Sequence, residues 1–350
     1  DMQKLSAFVE ETGYDFEGNY FQVTDNLDFT GITYTPVAQL TRMFQGVFDG
    51  NGKTISHLSY SATDDKTVQE RGLFGIIGRN GRIENLTIDE TSSLEAYQKC
   101  GAFAGGLYGR IVNCINRAEV SATGATYAGG IAGYAYTNSL IRKCRNAGDI
   151  TAKSGYAGGI LGGSPAGASI RVDTCTNQGK ITSTNKIGGI AGSASGQILA
   201  CTNSGEIAAT TSYAGGIIGE ALFPSIIHTS YNTGAVGAAT SYSAGIVALS
   251  AAHIDDTPLL IDSCYNQAAI TPGEKGYAAG IAASLKAGSA ITNCYNEGTV
   301  QDGEEISANY LAGIVADMTG SSSGRALIEN CYNTAPVSGS RYIGGIAGGI

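Results

Sequence analysis

Beyond about residue 20, apolar residues come in short runs of three to six, rich in Ile and Val and separated by glycine or asparagine. A helix shows its 3.6-residue period over roughly ten or more residues, so runs this short predict strands. The runs also return as a phrase: "YAGGIAGYA" (127–135), "YAGGILGG" (156–163), "YAGGIIGEA" (213–221) and "YIGGIAGGI" (342–350). The glycine before the apolar residue anchors each return, at Gly72, Gly101, Gly130, Gly159, Gly189, Gly216, Gly245, Gly280, Gly313 and Gly345. The intervals run from 27 to 35 residues. A second block of the form I-x-x-C-x-N-x-G-x-I travels with the anchors, as in "IVNCINRAEV" (111–120), "IRKCRNAGDI" (141–150) and "ITNCYNEGTV" (291–300).

Helical repeats have units of roughly 33–47 residues, whereas a coil of about 29 residues with three short strands predicts a right-handed parallel β-helix. The pattern assigns residues 21–350 to one continuous domain and residues 1–20 to an N-terminal cap. In that cap Leu5, Phe8 and Val9 share one face of a short helix ending at Gly13, which covers the first coil. No comparable cap is legible at the other end.

Successive coils stack about 4.8 Å apart, so alignment columns become ladders. Ile131, Ile160, Ile190, Ile217, Ile246, Ile281, Ile314 and Ile346 form one apolar column. Val120, Ile150, Ile181, Ile207, Val236, Ile270, Val300 and Val337 form another. Glycine where strands bend allows positive φ and close approach of the walls.

Cys114, Cys144, Cys175, Cys201, Cys264, Cys294 and Cys331 share a column in which Ser230 fills one gap; Cys100 lies elsewhere. Neighbours in an in-register parallel ladder point the same way, which suits a disulfide dihedral poorly. They are expected as stacked, reduced, inward-facing thiols. No histidine or C-x-x-C spacing supports a metal site, and no cofactor is implied. Asn116, Asn146, Asn177, Asn203, Asn232, Asn266, Asn296 and Asn333 predict an amide ladder at a turn.

Two columns are tyrosine. Tyr127, Tyr156, Tyr213, Tyr242, Tyr277, Tyr310 and Tyr342 lie three residues before the anchor, interrupted by Lys186. Tyr231, Tyr265, Tyr295 and Tyr332 lie between cysteine and asparagine, a position that points outward if its neighbours point inward. Such a strip suits sugar rings or a protein partner, and equally suits rings that support one another. These four residues are the candidate ligand-binding site. The late coils also lengthen, around 251–260, 301–309 and 319–325, and insertions in a solenoid map to loops, often on the binding face.

Charge narrows the chemistry. The formal net charge of −9 argues against nucleic acid, and no run of Lys and Arg along the chain reverses it. No apolar run approaches the ~20 residues of a membrane span. No secretory leader pattern opens the chain, and its start at Asp1 and stop at Ile350 inside a repeat read as a mature or trimmed piece of something longer. Glycoside chemistry needs converging carboxylates. The column Glu119, Asp149, Lys180, Glu206 offers one acidic pair, with Lys180 placed to screen Asp149 and Glu206. The pairs Asp64–Asp65, Asp255–Asp256 and Glu304–Glu305 fall in loops, and "DGNG" (49–52) reads as a tight turn more simply than as a calcium site.

"FQGVFDGNGKTISHL" (44–58), "GLFGIIG" (72–78) and "GRIENLTI" (81–88), with "FQVTDNLDFTG" before and the GGIAG repeats after, resemble GLUG-motif proteins. These are bacterial surface proteins, common in gut commensals and related to the non-catalytic repeat region of immunoglobulin A protease-type metallopeptidases. The resemblance implies a cell-surface or secreted location and an adhesin-like role toward host glycans or proteins. The H-E-x-x-H signature of the peptidases is absent: His57, His228 and His253 are followed by Leu58, Thr229 and Ile254. A non-catalytic module is therefore expected. The alternatives are the repeat region of a secreted protease and a carbohydrate-active enzyme.

Overall fold

The computed structural model describes residues 2–39, 42–60, 69–124, 126–238, 240–251, 259–302, 308–319 and 325–349. The short apolar runs are strands, every pairing between them is parallel, and each coil lies on the next as a β-solenoid. One coil shows the path. Tyr127–Gly129 belongs to sheet D, Ala132–Ala135 and Leu140–Arg142 to sheet A, Arg145–Asn146 to sheet B and Ile150–Ala152 to sheet C. Among the described residues sheet A has 19 strands, sheet B 11, and sheets C and D 10 each. This coil thus has five strand segments in four sheets where three were expected, and in two later coils the two sheet A segments fuse into Ala191–Leu199 and Ile218–His228. Segments of two or three residues are too short to show alternation, which is why the sequence merges them.

The bends have a physical signature that composition hides. Between sheets A and B nine successive coils hold one non-glycine residue in the left-handed region: Asn85, Asn113, Lys143, Thr174, Ala200, Thr229, Ser263, Asn293 and Asn330 have φ of 50–55°. An isolated left-handed residue costs roughly 1 kcal/mol; here the strands on either side of it, hydrogen-bonded to the coils above and below, hold it there.

Of the two reasons expected for the anchor glycines, close approach holds and positive φ does not. Gly130, Gly159, Gly189, Gly216, Gly245, Gly280 and Gly313 are absent from the positive-φ set. They are glycine because the lumen is narrow. A Cβ on Gly130 would lie 2.4 Å from Asn146 Cγ, and one on Gly216 2.4 Å from Asn232 Cγ. The phrase and the C-x-N block travel together because they are two sides of one contact. The register also shifts the first anchors: Gly101 pairs with Gly129, not with Gly130. At 49–52 the turn is as expected, with Asn51 and Gly52 both at positive φ and the Asp49 carboxylate accepting from Asn51 N at 2.8 Å.

Both apolar columns are fully buried through Ile314 and Val300. In the last described coil the same positions open, with Ile346 41% exposed. At the other end α1 (Met2–Thr12) buries Met2, Ser6 and Val9, and Gly13 closes it by donating to Val9 O. Ser6 Oγ donates to Pro36 O, and Glu10 accepts from Gln39 N, so α1 lies along residues 33–39. Phe8 departs from the expected buried face: it is largely exposed and packs on Tyr14 and Phe16.

Candidate functional site

Sheet B carries the C-x-N block, and its pleat sends alternate residues in and out. The cysteines point inward, buried except for half-buried Cys331, and all eight in the chain are free. Each ladder thiol donates to the carbonyl two residues before it, at 3.1–3.4 Å. Ser230 fills its gap by donating to His228 O in the same way. Burial pushes Cys144, Cys175 and Cys201 well above the usual thiol range, and Cys100 up to about 12. Held on their protons by burial, these thiols are poor nucleophiles.

The asparagines also point inward. From Asn116 to Asn333, each Nδ2 donates to Oδ1 of the next asparagine at 2.7–2.9 Å. The second hydrogen goes to the carbonyl two residues on, at 2.7–3.0 Å. A buried amide without partners costs about 1–3 kcal/mol, and this ladder satisfies each one.

Between them, Tyr231, Tyr265, Tyr295 and Tyr332 point outward, the first three half-buried and the last half-exposed. Their rings are parallel: centroids are 4.7, 4.9 and 5.1 Å apart and planes differ by 2–5°. Stacking at this spacing covers the ring faces. What the strip offers outward is ring edges and a row of phenol hydroxyls, none with a hydrogen-bond partner among the described residues.

The second tyrosine column is set differently. On sheet D, Tyr213, Tyr242, Tyr277, Tyr310 and Tyr342 stack continuously at 4.7–5.3 Å, and Tyr127 stacks on Tyr156 at 4.9 Å. Sheet D meets sheet A at a concave corner, and the rings lie in it. A Cβ on Gly163 would be 2.5 Å from the Tyr127 ring, and one on Gly349 2.7 Å from the Tyr310 ring. Burial, then neighbouring phenols, pushes Tyr127 up to about 12; burial does the same for Tyr242. Lys186 sits between Tyr156 and Tyr213, its Nζ 5.3 and 5.9 Å from the ring centroids and 2.6 Å from Glu220 Oε1. Glu220 also accepts from Ser193 Oγ at 2.8 Å. Lys99, one place in the column before Tyr127, is likewise paired, with Glu70 at 2.6 Å.

The acidic column does not converge on a reaction site. Lys180 Nζ pairs with Glu206 at 3.0 Å, Asp149 accepts from Lys180 N, and Glu119 stands exposed. His57 and His228 each pair with one aspartate, Asp28 and Asp262, at 2.9 and 2.8 Å. Hydrogen bonds from Thr292, then Asn293, Ser263 and His228, hold Asp262 at about 2 against the burial that opposes them. Among the described residues no three His, Cys, Asp or Glu side chains come together as a metal site. The acidic loop pairs at 64–65, 255–256 and 304–305, His253, and most of the lengthened loops lie outside the described residues.

Comparison with known proteins bears on origin. Halomucin from Haloquadratum walsbyi is 30% identical over 156 residues, 37% of this chain and 2% of its own length. A proposed Gly-rich membrane protein of Evansella cellulosilytica is 33% identical over 105 residues, 28% of this chain and 12% of its own length. This chain therefore spans a small part of each relative. Among solved structures, a candidate immunoglobulin A1 protease from Bacteroides ovatus is 19% identical over 89% of this chain and 77% of its own, with a TM-score of 0.35. A likeness that weak carries no argument about activity. No helix among the described residues is long and apolar enough to cross a membrane. The GLUG motif family matches residues 124–151, which is the coil traced above from Tyr127 to Ala152. The chain is a parallel β-solenoid that carries a GLUG motif.

Proposed function

We propose that this chain is an extracellular, non-catalytic module of a bacterial surface protein, with residues 1–20 as a cap and 21–350 as an elongated body that displays a binding face. Likeness to halomucin and to a protein described as a membrane protein supports the location. The observation that carries the binding role is the outward strip Tyr231, Tyr265, Tyr295 and Tyr332, whose hydroxyls are left without protein partners among the described residues. Because the ring faces cover one another, the strip engages its ligand through edges and hydroxyls. That geometry suits a hydroxyl-rich glycan lying along the solenoid axis, with hydroxyls spaced by the coil rise of about 4.8 Å.

A glycan-array screen of the wild type and two double variants tests this. Tyr265→Ala/Tyr295→Ala removes the strip, and binding is expected to disappear. Tyr265→Phe/Tyr295→Phe keeps the stack and removes two hydroxyls, and binding is expected to weaken by about tenfold, the worth of a hydrogen bond or two. Binding retained in the alanine pair removes the strip from the account. Full binding in the phenylalanine pair removes the hydroxyls from it.

A further inference from the structure

We infer that the outer face of sheets A and B in the early coils is a second binding site, for an anionic polysaccharide. The sequence holds one short basic stretch, Arg142, Lys143 and Arg145, and the strand register brings Arg110 and Arg171 beside it from positions about thirty residues away. Arg110 pairs with Leu140, which pairs with Arg171. Val112 pairs with Arg142, which pairs with Asp173, and Ile115 pairs with Arg145. Three successive coils therefore present Arg110, then Arg142, Lys143 and Arg145, then Arg171, all exposed. Arg82 lies one coil earlier, directly against Arg110.

The pairing within this patch is uneven. Glu84 takes Arg82 at one end, and Asp173 takes Arg171 at 2.9 Å at the other. Arg117, at the flank, reaches Glu90 at 3.7 Å, and Arg145 donates to Gln178. In the centre Arg110, Arg142 and Lys143 make no ion pair among the described residues, and Asp173, the register neighbour of Arg142, is taken by Arg171. Cations that outnumber Glu84 and Asp173 on one face of a chain of net charge −9 mark a place where a negative group is accepted while the remaining surface repels one.

The spacing selects the kind of anion carrier. One coil of rise and two residues of strand separate Arg110 from Arg142, and Arg142 from Arg171, giving diagonal steps of roughly 8 Å. Three coils span only about 10 Å along the axis, enough for two or three anions. Tight nucleic-acid binding draws on about 6–10 phosphate contacts, more than this patch offers. A glycan bearing widely spaced sulfate or carboxylate groups fits, with guanidinium forks matched to either oxyanion. Half-buried Val112, Ile115 and Leu140 lie among the arginines and give the apolar faces of sugars a surface. The Arg145 column continues through Thr176 and Thr202 into Tyr231, so the patch and the tyrosine strip share one wall of the solenoid.

The site stands on the cations alone, so it can fail while the tyrosine strip holds, and the reverse. The test is binding of the whole chain to dextran sulfate, polygalacturonate, neutral dextran and duplex DNA at two salt concentrations. The wild type is expected to bind at least one acidic polymer, more weakly at high salt, and to ignore neutral dextran. The sulfate and uronate arms identify the preferred anion. Arg110→Ser/Arg142→Ser/Lys143→Ser is expected to lose at least about tenfold in affinity, the worth of one charge-assisted hydrogen bond, with an unchanged circular dichroism spectrum. Arg142→Lys, which keeps the charge and loses the fork, is expected to fall between the two. Tyr265→Ala/Tyr295→Ala is expected to bind the acidic polymers as the wild type does. The proposal is overturned if the wild type binds neither acidic polymer, if the triple variant binds as tightly as the wild type, or if DNA binds as well as the polysaccharides.

Discussion

The two tyrosine columns use the same side chain at the same coil spacing and end in different places. On sheet D the rings lie in the concave corner against sheet A, close enough to Gly163 and Gly349 to exclude a Cβ there. On sheet B they stand on an open wall, touching mainly one another. What separates the two columns is therefore the wall beside the ring: sheet A flanks one column and leaves the other open. Stacking is common to both, and alone it says nothing about binding.

The comparison can be broken most severely at Lys186, where the corner column changes from phenol to cation. Lys186→Met leaves Glu220, with a side chain only 11% exposed, without its cation and with Ser193 as its remaining partner. Breaking a buried pair from one side costs roughly 3 kcal/mol, to be read from the denaturant midpoint. Tyr242→Ala comes next. It opens the corner between Tyr213 and Tyr277, and about 2 kcal/mol of lost burial and ring contact is expected. Tyr265→Ala on the open wall is expected to cost less, under about 1 kcal/mol. Equal losses at Tyr242 and Tyr265 would erase the distinction.

The smallest effect is in pH. An unfolded tyrosine ionises near 10, whereas Tyr127 and Tyr242 hold their protons to about 12. The unfolded chain thus releases protons first, so the stability these residues add is complete below pH 10 and is lost as pH rises from 10 toward 12. Tyr242→Phe is expected to flatten part of that alkaline fall in the unfolding midpoint. An unchanged alkaline slope would mean that the corner does not shield its phenols.

The repeat made much of this legible in advance. Ladders of isoleucine, cysteine, asparagine and tyrosine follow from aligned columns, because a parallel solenoid turns a sequence period into a vertical contact. Relations within a coil were harder to see. The left-handed bend before each cysteine is occupied by residues as unlike as Asn113, Lys143 and Ala200, since the strands around it impose the conformation and composition leaves no mark. The contact of Gly130 with Asn146 crosses the lumen between blocks 16 residues apart, and no local pattern encodes it. The concave corner depends on the angle between two sheets, so parity places Tyr127 outward without revealing that its ring there lies against sheet A. The basic patch was hidden for a related reason: Arg110, Arg142 and Arg171 become neighbours only once the coils are stacked.

In the proposed reading the column on the open wall binds and the column against sheet A builds. The direct measurement is binding of the best array glycan, with the thermal midpoint, for two double variants: Tyr265→Ala/Tyr295→Ala on the wall and Tyr242→Ala/Tyr277→Ala in the corner. The wall pair is expected to lose binding while its midpoint stays within a few degrees of the wild type. The corner pair is expected to melt clearly earlier and, while folded, to bind as the wild type does. Binding that survives in the wall pair and vanishes in the folded corner pair would contradict the account and move the site into the corner.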